Sequence, residues 1–274
     1  MKRFAHGLVV LGMLGATTTG AQQATGQGQE GSQAKIDKDA PGIIAVLSTE
    51  NNCFTSGSGQ TFLKVCITEN GNISWLESPA GARHITTREG YAVCTYDAAY
   101  TVHGFDVNMA AEGWGPSIVS ENKRIITRTS LDGLIELKQT FTVVPAERGV
   151  DVKMELKNLS PATLQGLMLA RYFDGDIDGQ IVNEYSHTGE TIWGKSSRGL
   201  LLTAAPLASA YTYLVSAPYS DWNPVGTSKQ LARGCEVSLA PSGVTGDYAG
   251  GLIATLGAVK PGKSKSVTLH YKRF

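Results

Sequence analysis

The chain has 274 residues, enough for one large domain, and its 24 Lys and Arg balance 24 Asp and Glu to a formal net charge of zero. That balance excludes the basic excess or basic stripe of a nucleic-acid binder. A neutral surface also offers little attraction to an anionic membrane.

Lys2 and Arg3 precede an apolar stretch from Leu8 to Leu14 and a small-residue site at Thr19-Gly20-Ala21. This is the pattern of a secretory signal peptide, here residues 1–21. The stretch is too short to span a bilayer, and no later segment approaches the ~20 continuous apolar residues of a membrane helix. A secreted or periplasmic chain is expected. Residues 22–40 are rich in Gln, Gly, Ala and Ser, and so little apolar content cannot offset the entropy of ordering, which predicts a disordered leader.

Residues 41–274 read as a single all-β domain. Phe62 to Thr68 and Asn72 to Glu77 flank Asn70-Gly71, and Lys123 to Ser130 and Leu134 to Val144 flank Asp132-Gly133. Both are signals for hairpins with type I′ turns. Val150, Val152, Met154 and Leu156 alternate with charged residues, giving a strand with one dry face and one wet one. Leu164 to Ala170 is apolar on nearly both faces, as a covered central strand would be. Further strands are expected at Gly199 to Ala204, Ala210 to Ser216, Cys235 to Leu239, Gly251 to Ala258 and Ser266 to Tyr271, with Pro261-Gly262 turning the last pair. An outer-membrane barrel would also alternate. In the last strand, however, Val267, Leu269 and Tyr271 share one face while Phe274 falls on the other with Lys272 and His270, a register that a lipid-facing band could not hold.

Export makes the four cysteines legible, because disulfides persist in oxidising compartments. Four cysteines allow three pairings. Cys53–Cys66, closing a Gly/Ser-rich loop, and Cys94–Cys235, tying distant segments, are favoured. A zinc site is the alternative, but no CxxC pair occurs and no His clusters with them.

The one concentration of acidic residues follows the central strand: Asp174, Asp176 and Asp178 alternate, Gly179 follows, and Glu184 comes five residues later. Calcium takes several oxygen ligands at once, and such a loop supplies three. Glu184 falls at the eleventh position of the loop, where a calcium loop places its bidentate Glu at the twelfth, and a strand instead of a helix precedes it. The loop is therefore not an EF-hand. The competing reading is a polar strand end whose Asp side chains cap turns, with Arg171 pairing to Asp174 or a neighbour.

The segments Lys-Gln-Thr-Phe-Thr-Val-Val-Pro, Val-Lys-Met-Glu-Leu-Lys-Asn-Leu-Ser and Leu-Ala-Arg-Tyr-Phe-Asp-Gly-Asp-Ile-Asp, between Leu137 and Asp178, resemble a pattern in secreted bacterial β-proteins of unassigned activity. The ending from Leu256 to Tyr271 is similar to their closing hairpin. These proteins look related to galactose-mutarotase-like domains, so the resemblance implies a large antiparallel β-sandwich of supersandwich type. That fold group contains sugar epimerases, lyases and glycosidase accessory domains. Epimerase chemistry needs a His acid and a Glu base across one cleft. Of His84, His103, His187 and His270, none sits in the epimerase sequence setting, so no catalytic residue is carried over.

Trp114, in Glu-Gly-Trp-Gly-Pro, and Trp222, in Ser-Asp-Trp-Asn-Pro, lie in turn-rich segments where loops carry function, and either could stack on a sugar ring. Trp75 and Trp193 lie in strand-like runs and read as packing. Glu112, Asp221, or Asp106 with His103 could do acid/base work, but no nucleophile elbow, zinc motif or phosphate loop is present. The sequence thus leads to a non-catalytic extracellular binding domain for carbohydrate, with calcium in the Asp174–Gly179 loop. The alternatives are a carbohydrate-active enzyme of the mutarotase-like group and a structural envelope component.

Overall fold

The alternation of apolar and charged residues from Gly149 to Asn158 sets the architecture. Its inward members Val150, Val152, Met154 and Leu156 have no solvent exposure, and its neighbours on both sides repeat the pattern. The computed structural model describes residues 52–274 apart from 86–87, 98, 108–109, 175–176, 181, 189–190, 205–210, 217–234, 236–242 and 247–248. The expected signal peptide and leader lie outside the described residues, as do Asp176 and Trp222.

The described residues form three antiparallel sheets. Strands β1 (Cys53–Ser56), β2 (Leu63–Ile67), β3 (Ile73–Glu77) and β4 (Arg83–Ile85) make a four-stranded meander. The chain then enters a six-stranded sheet with β5 (Arg88–Tyr96), β6 (Tyr100–Val107) and β7 (Ala110–Glu112). It moves to a nine-stranded sheet with β8 (Ile118–Val119), β9 (Ile125–Thr129), β10 (Ile135–Val144) and β11 (Gly149–Asn158). β12 (Leu164–Asp174) returns to the six-stranded sheet, between β5 and β18 (Ala249–Val259), with β16 (Tyr211–Ser216) at the edge. β13 (Asn183–Thr188), β14 (Thr191–Lys195), β15 (Gly199–Ala204), β17 (Val244–Gly246) and β19 (Ser264–Arg273) complete the nine-stranded sheet. The described residues contain no α-helix, and none of the sheets closes on itself. No described helix is long and apolar enough to cross a membrane.

The two larger sheets face each other over one core. Leu137 and Phe141 from β10, Leu167, Leu169 and Phe173 from β12, and Leu269 and Tyr271 from β19 meet there. Leu63, Val65, Ile73 and Leu76 of the small meander extend the same core. Each such side chain contributes roughly 1.5–3 kcal/mol through removal from water. β12 is covered on its other face too, by a smaller cluster of Ala92, Cys94, Phe105, Ala170, Tyr172, Cys235 and Ile253. The two-sided hydrophobicity of this strand is thereby accounted for. Both disulfides have the favoured pairing, Cys53–Cys66 within the β1–β2 pair and Cys94–Cys235 pinning the outer cluster.

Three turn expectations are corrected. Asn70-Gly71 and Asp132-Gly133 do mark hairpins, but only the glycines have positive φ, at 88° and 71°. Gly71 N–H donates to Thr68 O and Thr68 N–H to Asn72 O, a three-residue loop ending in a left-handed glycine, whereas Gly133 N–H donates to Ser130 O and Ser130 N–H to Ile135 O, a four-residue loop with its left-handed glycine third, so neither is a two-residue type I′ turn. Pro261-Gly262 does not close a hairpin either. β18 belongs to the six-stranded sheet and β19 to the nine-stranded one, so this turn carries the chain across the core. Hydrophobic alternation reads the same whether successive strands pair or face each other, which is why the sequence does not separate the two. Of the strand expected at Cys235 to Leu239, only Cys235 is described, and it lies in a turn.

Candidate functional site

The inward row of β12 runs Leu167, Leu169, Arg171, Phe173, so the period of the strand drives a guanidinium into the centre of the sandwich. Arg171 is fully buried. Its Nε donates to Glu89 Oε1 at 2.5 Å and to the Tyr271 hydroxyl at 3.2 Å, one Nη to Gln139 Oε1 at 2.8 Å, and the other to Gly71 O at 3.0 Å. Rings of Tyr91, Phe141 and Tyr271 surround it at 5.7–5.9 Å. Glu89, also fully buried, accepts from Tyr271 Oη at 2.6 Å and from the Ile73 N–H at 2.7 Å. Burial tends to lower the Arg171 pKa, but the Glu89 carboxylate outweighs it and holds the guanidinium above its usual value. Burial likewise pushes the Tyr271 phenol up, aided by the charge of Glu89, which keeps it a donor. The β2–β3 turn is the object of this clamp: Gln139 Nε2 and Tyr91 Oη both donate to Asn70 O, and Asn72 Nδ2 donates to Glu89 O.

A second buried pair lies beside it. Arg128 Nη1 donates to Asp106 Oδ2 at 2.5 Å and to Tyr91 Oη at 3.1 Å, and its other nitrogens reach Gly115 O. Trp114 stacks into this group, 6.0 Å from the Tyr91 ring with the Arg128 guanidinium over it at 5.7 Å. It is only 7% exposed. Its ring occupies the space a side chain on Gly104 would need, since a Cβ there would come within 2.6 Å. Trp114 is thus a core residue, turned away from solvent.

At one end of the sandwich His103 Nδ1 meets Asp132 Oδ2 at 2.6 Å, and Nε2 meets Thr95 Oγ1 at 2.8 Å. Asp132 also accepts from Ser130 Oγ and the Leu134 N–H. Burial tends to raise the Asp132 carboxyl, yet Ser130, Leu134 and His103 together hold it below its usual value. His103 and Asp106 therefore do not form the acid/base pair that the sequence allows: each has another partner.

The acidic loop is described in part. Asp178, at φ 56°, receives Ser197 Oγ at 2.7 Å, the Arg198 N–H at 3.2 Å and Arg198 Nη1 at 3.1 Å. Arg171 thus pairs with Glu89, and Arg198 takes the carboxylate of the loop. Glu184 lies on β13, exposed and directly opposite Lys195 of β14. Among the described residues no group of His, Cys, Asp or Glu could hold a metal ion. Asp176 and the side chain of Asp174 are outside that set.

The wet face of the nine-stranded sheet carries the remaining chemistry. His270 Nδ1 meets Asp151 Oδ1 at 2.5 Å, and Glu147 Oε2 lies 3.4 Å from both His270 Nε2 and Lys272 Nζ. Farther along, Trp193 is partly exposed and meets Phe274, 45% exposed, edge to face at 6.3 Å. Sequence reading missed the partners of Arg171 because Glu89 is 82 residues away. A signal was nonetheless present: Arg171 and Gln139 each occupy an inward position in an otherwise apolar alternation.

No protein-family model matches the chain, and no curated protein matches it. Among solved structures it is similar to a bacterial glucoamylase complexed with acarbose, with a TM-score of 0.55 and 10% identity over 78% of this chain and 30% of that one. A polysaccharide lyase is similar with a TM-score of 0.44 and 11% identity, over 80% of this chain and 33% of that one. What is shared with the glucoamylase is the fold. The chain spans about a third of the length of either protein.

Proposed function

We propose that this chain is a non-catalytic carbohydrate-binding β-sandwich. The observation that carries the reading is the likeness to the glucoamylase: 78% of this chain corresponds to only 30% of that protein, which was seen in complex with acarbose. The sandwich therefore resembles one part of such a protein and not the whole of it. The non-catalytic half of the reading is supported by the two innermost carboxylates. Glu89 and Asp106 have no solvent exposure and are engaged by Arg171 and Arg128, so neither can approach a glycosidic oxygen without unfolding its surroundings.

The rival reading, a carbohydrate-active enzyme, draws on one observation. His270 lies between Asp151 and Glu147 on a solvent-facing sheet, which places an imidazole and two carboxylates together as acid/base chemistry needs. Calorimetric titration with acarbose and a series of neutral oligosaccharides, followed by chromatography of the same mixtures, separates the two. Binding without new products is expected. Hydrolysed, cleaved or epimerised products that vanish in His270→Ala would establish the enzyme instead, and the absence of both binding and turnover would contradict either reading.

A further inference from the structure

We infer that the glycan contact is the aromatic ledge formed by Trp193 and Phe274 on the wet face of the nine-stranded sheet, and that it takes a neutral polysaccharide. This rests on the carbohydrate-binding reading above and deepens it. Trp193 is the outward residue at the centre of β14, between the inward Ile192 and Gly194. Phe274 continues β19 by exchanging two backbone hydrogen bonds with Gly199 at the start of β15. Its ring lies over the Gly199 backbone, where an added Cβ would come within 2.1 Å of Cε1 and Cζ and 2.6 Å of Cε2. The absence of a side chain at Gly199 thus makes the seat on which the Phe274 ring rests, beside the indole.

The two rings meet edge to face at an interplanar angle of 81°, with Trp193 half-buried and Phe274 exposed. The C–H face of a pyranose buries against such rings, while its hydroxyls need polar neighbours. Ser186 is directly opposite Trp193 across the β13–β14 pair, and Lys272 lies two strands away through Leu201, about 10 Å at the usual strand spacing. Several cations about the ledge already have a carboxylate beside them: Lys272 pairs with Glu147, His270 with Asp151 and Arg198 with Asp178. An acidic polysaccharide would have to break such a pair to gain one of these cations, whereas a neutral one needs none of them. The charge pattern therefore favours an uncharged chain.

The test uses the mature protein and depletion from solution by insoluble neutral polysaccharides (amylose, cellulose and mannan), with alginate and polygalacturonate gels as acidic controls. Trp193→Ala is expected to weaken retention about tenfold, the loss of one ring's worth of apolar contact. Gly199→Ala displaces the Phe274 ring while leaving Trp193 in place, and should weaken retention by a smaller factor with the melting profile unchanged. Retention should persist in 0.5 M salt, since no ion pair to the ligand is involved. Retention on a neutral polysaccharide that both variants keep in full would overturn the ledge and leave the carbohydrate-binding reading standing. Binding to the acidic gels alone, lost in salt, would overturn the choice of ligand. Failure of the wild type on every support sinks both. A second copy of the chain is the other occupant to exclude: concentration-dependent dimerisation abolished by Trp193→Ala would make the ledge a protein interface and overturn the proposal.

Discussion

Arg171 and Glu89 form an ion pair at 2.5 Å with neither side chain exposed to solvent. The pair joins the two facing sheets to the turn of the N-terminal meander, because Glu89 accepts from Ile73 and Arg171 donates to Gly71. Breaking one partner of a buried pair leaves the other charge uncompensated, at a cost of about 3–5 kcal/mol. Glu89→Gln and Arg171→Met should each destabilise by that order in urea unfolding. The double variant should recover part of the loss, since it strands no charge. A double variant as unstable as the sum of the singles would show that the two residues act independently.

The disulfides should differ in weight. Cys94–Cys235 spans 141 residues and Cys53–Cys66 spans 13. Loop-closure entropy assigns them about 5 and about 3 kcal/mol. Removing the longer bridge by a double Ala variant should lower the melting temperature more than removing the shorter one, by about 4–8 °C. A thiol reagent should find no reactive cysteine in the native protein. Equal melting losses from the two variants would go against the entropic account.

Acid should loosen the end of the sandwich held by Asp132. Its carboxyl is held below the usual aspartate range by Ser130, Leu134 and His103, so the folded state releases this proton more readily than the unfolded one. The stabilisation is complete above about pH 4 and is lost as pH falls through the lower folded-state value. Asp132 is 38% exposed at the side chain, so the effect is small after solvent screening. Stability measured from pH 5 downward should fall less steeply in Asp132→Asn than in the wild type. Identical slopes would remove Asp132 from the acid response.

Arg198 already engages the Asp178 carboxylate, so a calcium ion using Asp178 has to displace it. We expect melting midpoints in calcium and in chelator to agree within about 2 °C. A cation at 100 times its dissociation constant would add roughly 2.7 kcal/mol, a rise of about 5–10 °C in a domain of this size. A rise of that order, lost in Asp176→Ala, would establish the acidic loop as a cation site.

The fold was legible wherever one strand reports on its own two faces. β11 and β12 follow directly from alternation and from two-sided hydrophobicity, whereas compartment predicted disulfides without choosing among three pairings, of which the favoured one is found. Relations between strands were less legible. Val259 and Ser264 flank a tight turn yet belong to different sheets, and Arg171 finds its partner across 82 residues. The tryptophans show the same division. A turn-rich setting suggests an accessible ring at Trp114, but an isolated bridge to Ser130 ties its backbone into the body and its ring into the core. A strand setting suggests packing at Trp193, and the strand indeed turns this residue outward. Local composition does not determine which face of a sheet looks at water; the register of the neighbouring strands does.

The most direct test of the account is a glycan array probed with the labelled mature chain. The account predicts signal on neutral glycans, little on uronic-acid polymers, and a strongly reduced signal with Trp193→Ala. A blank array, or signal confined to acidic glycans, would contradict it.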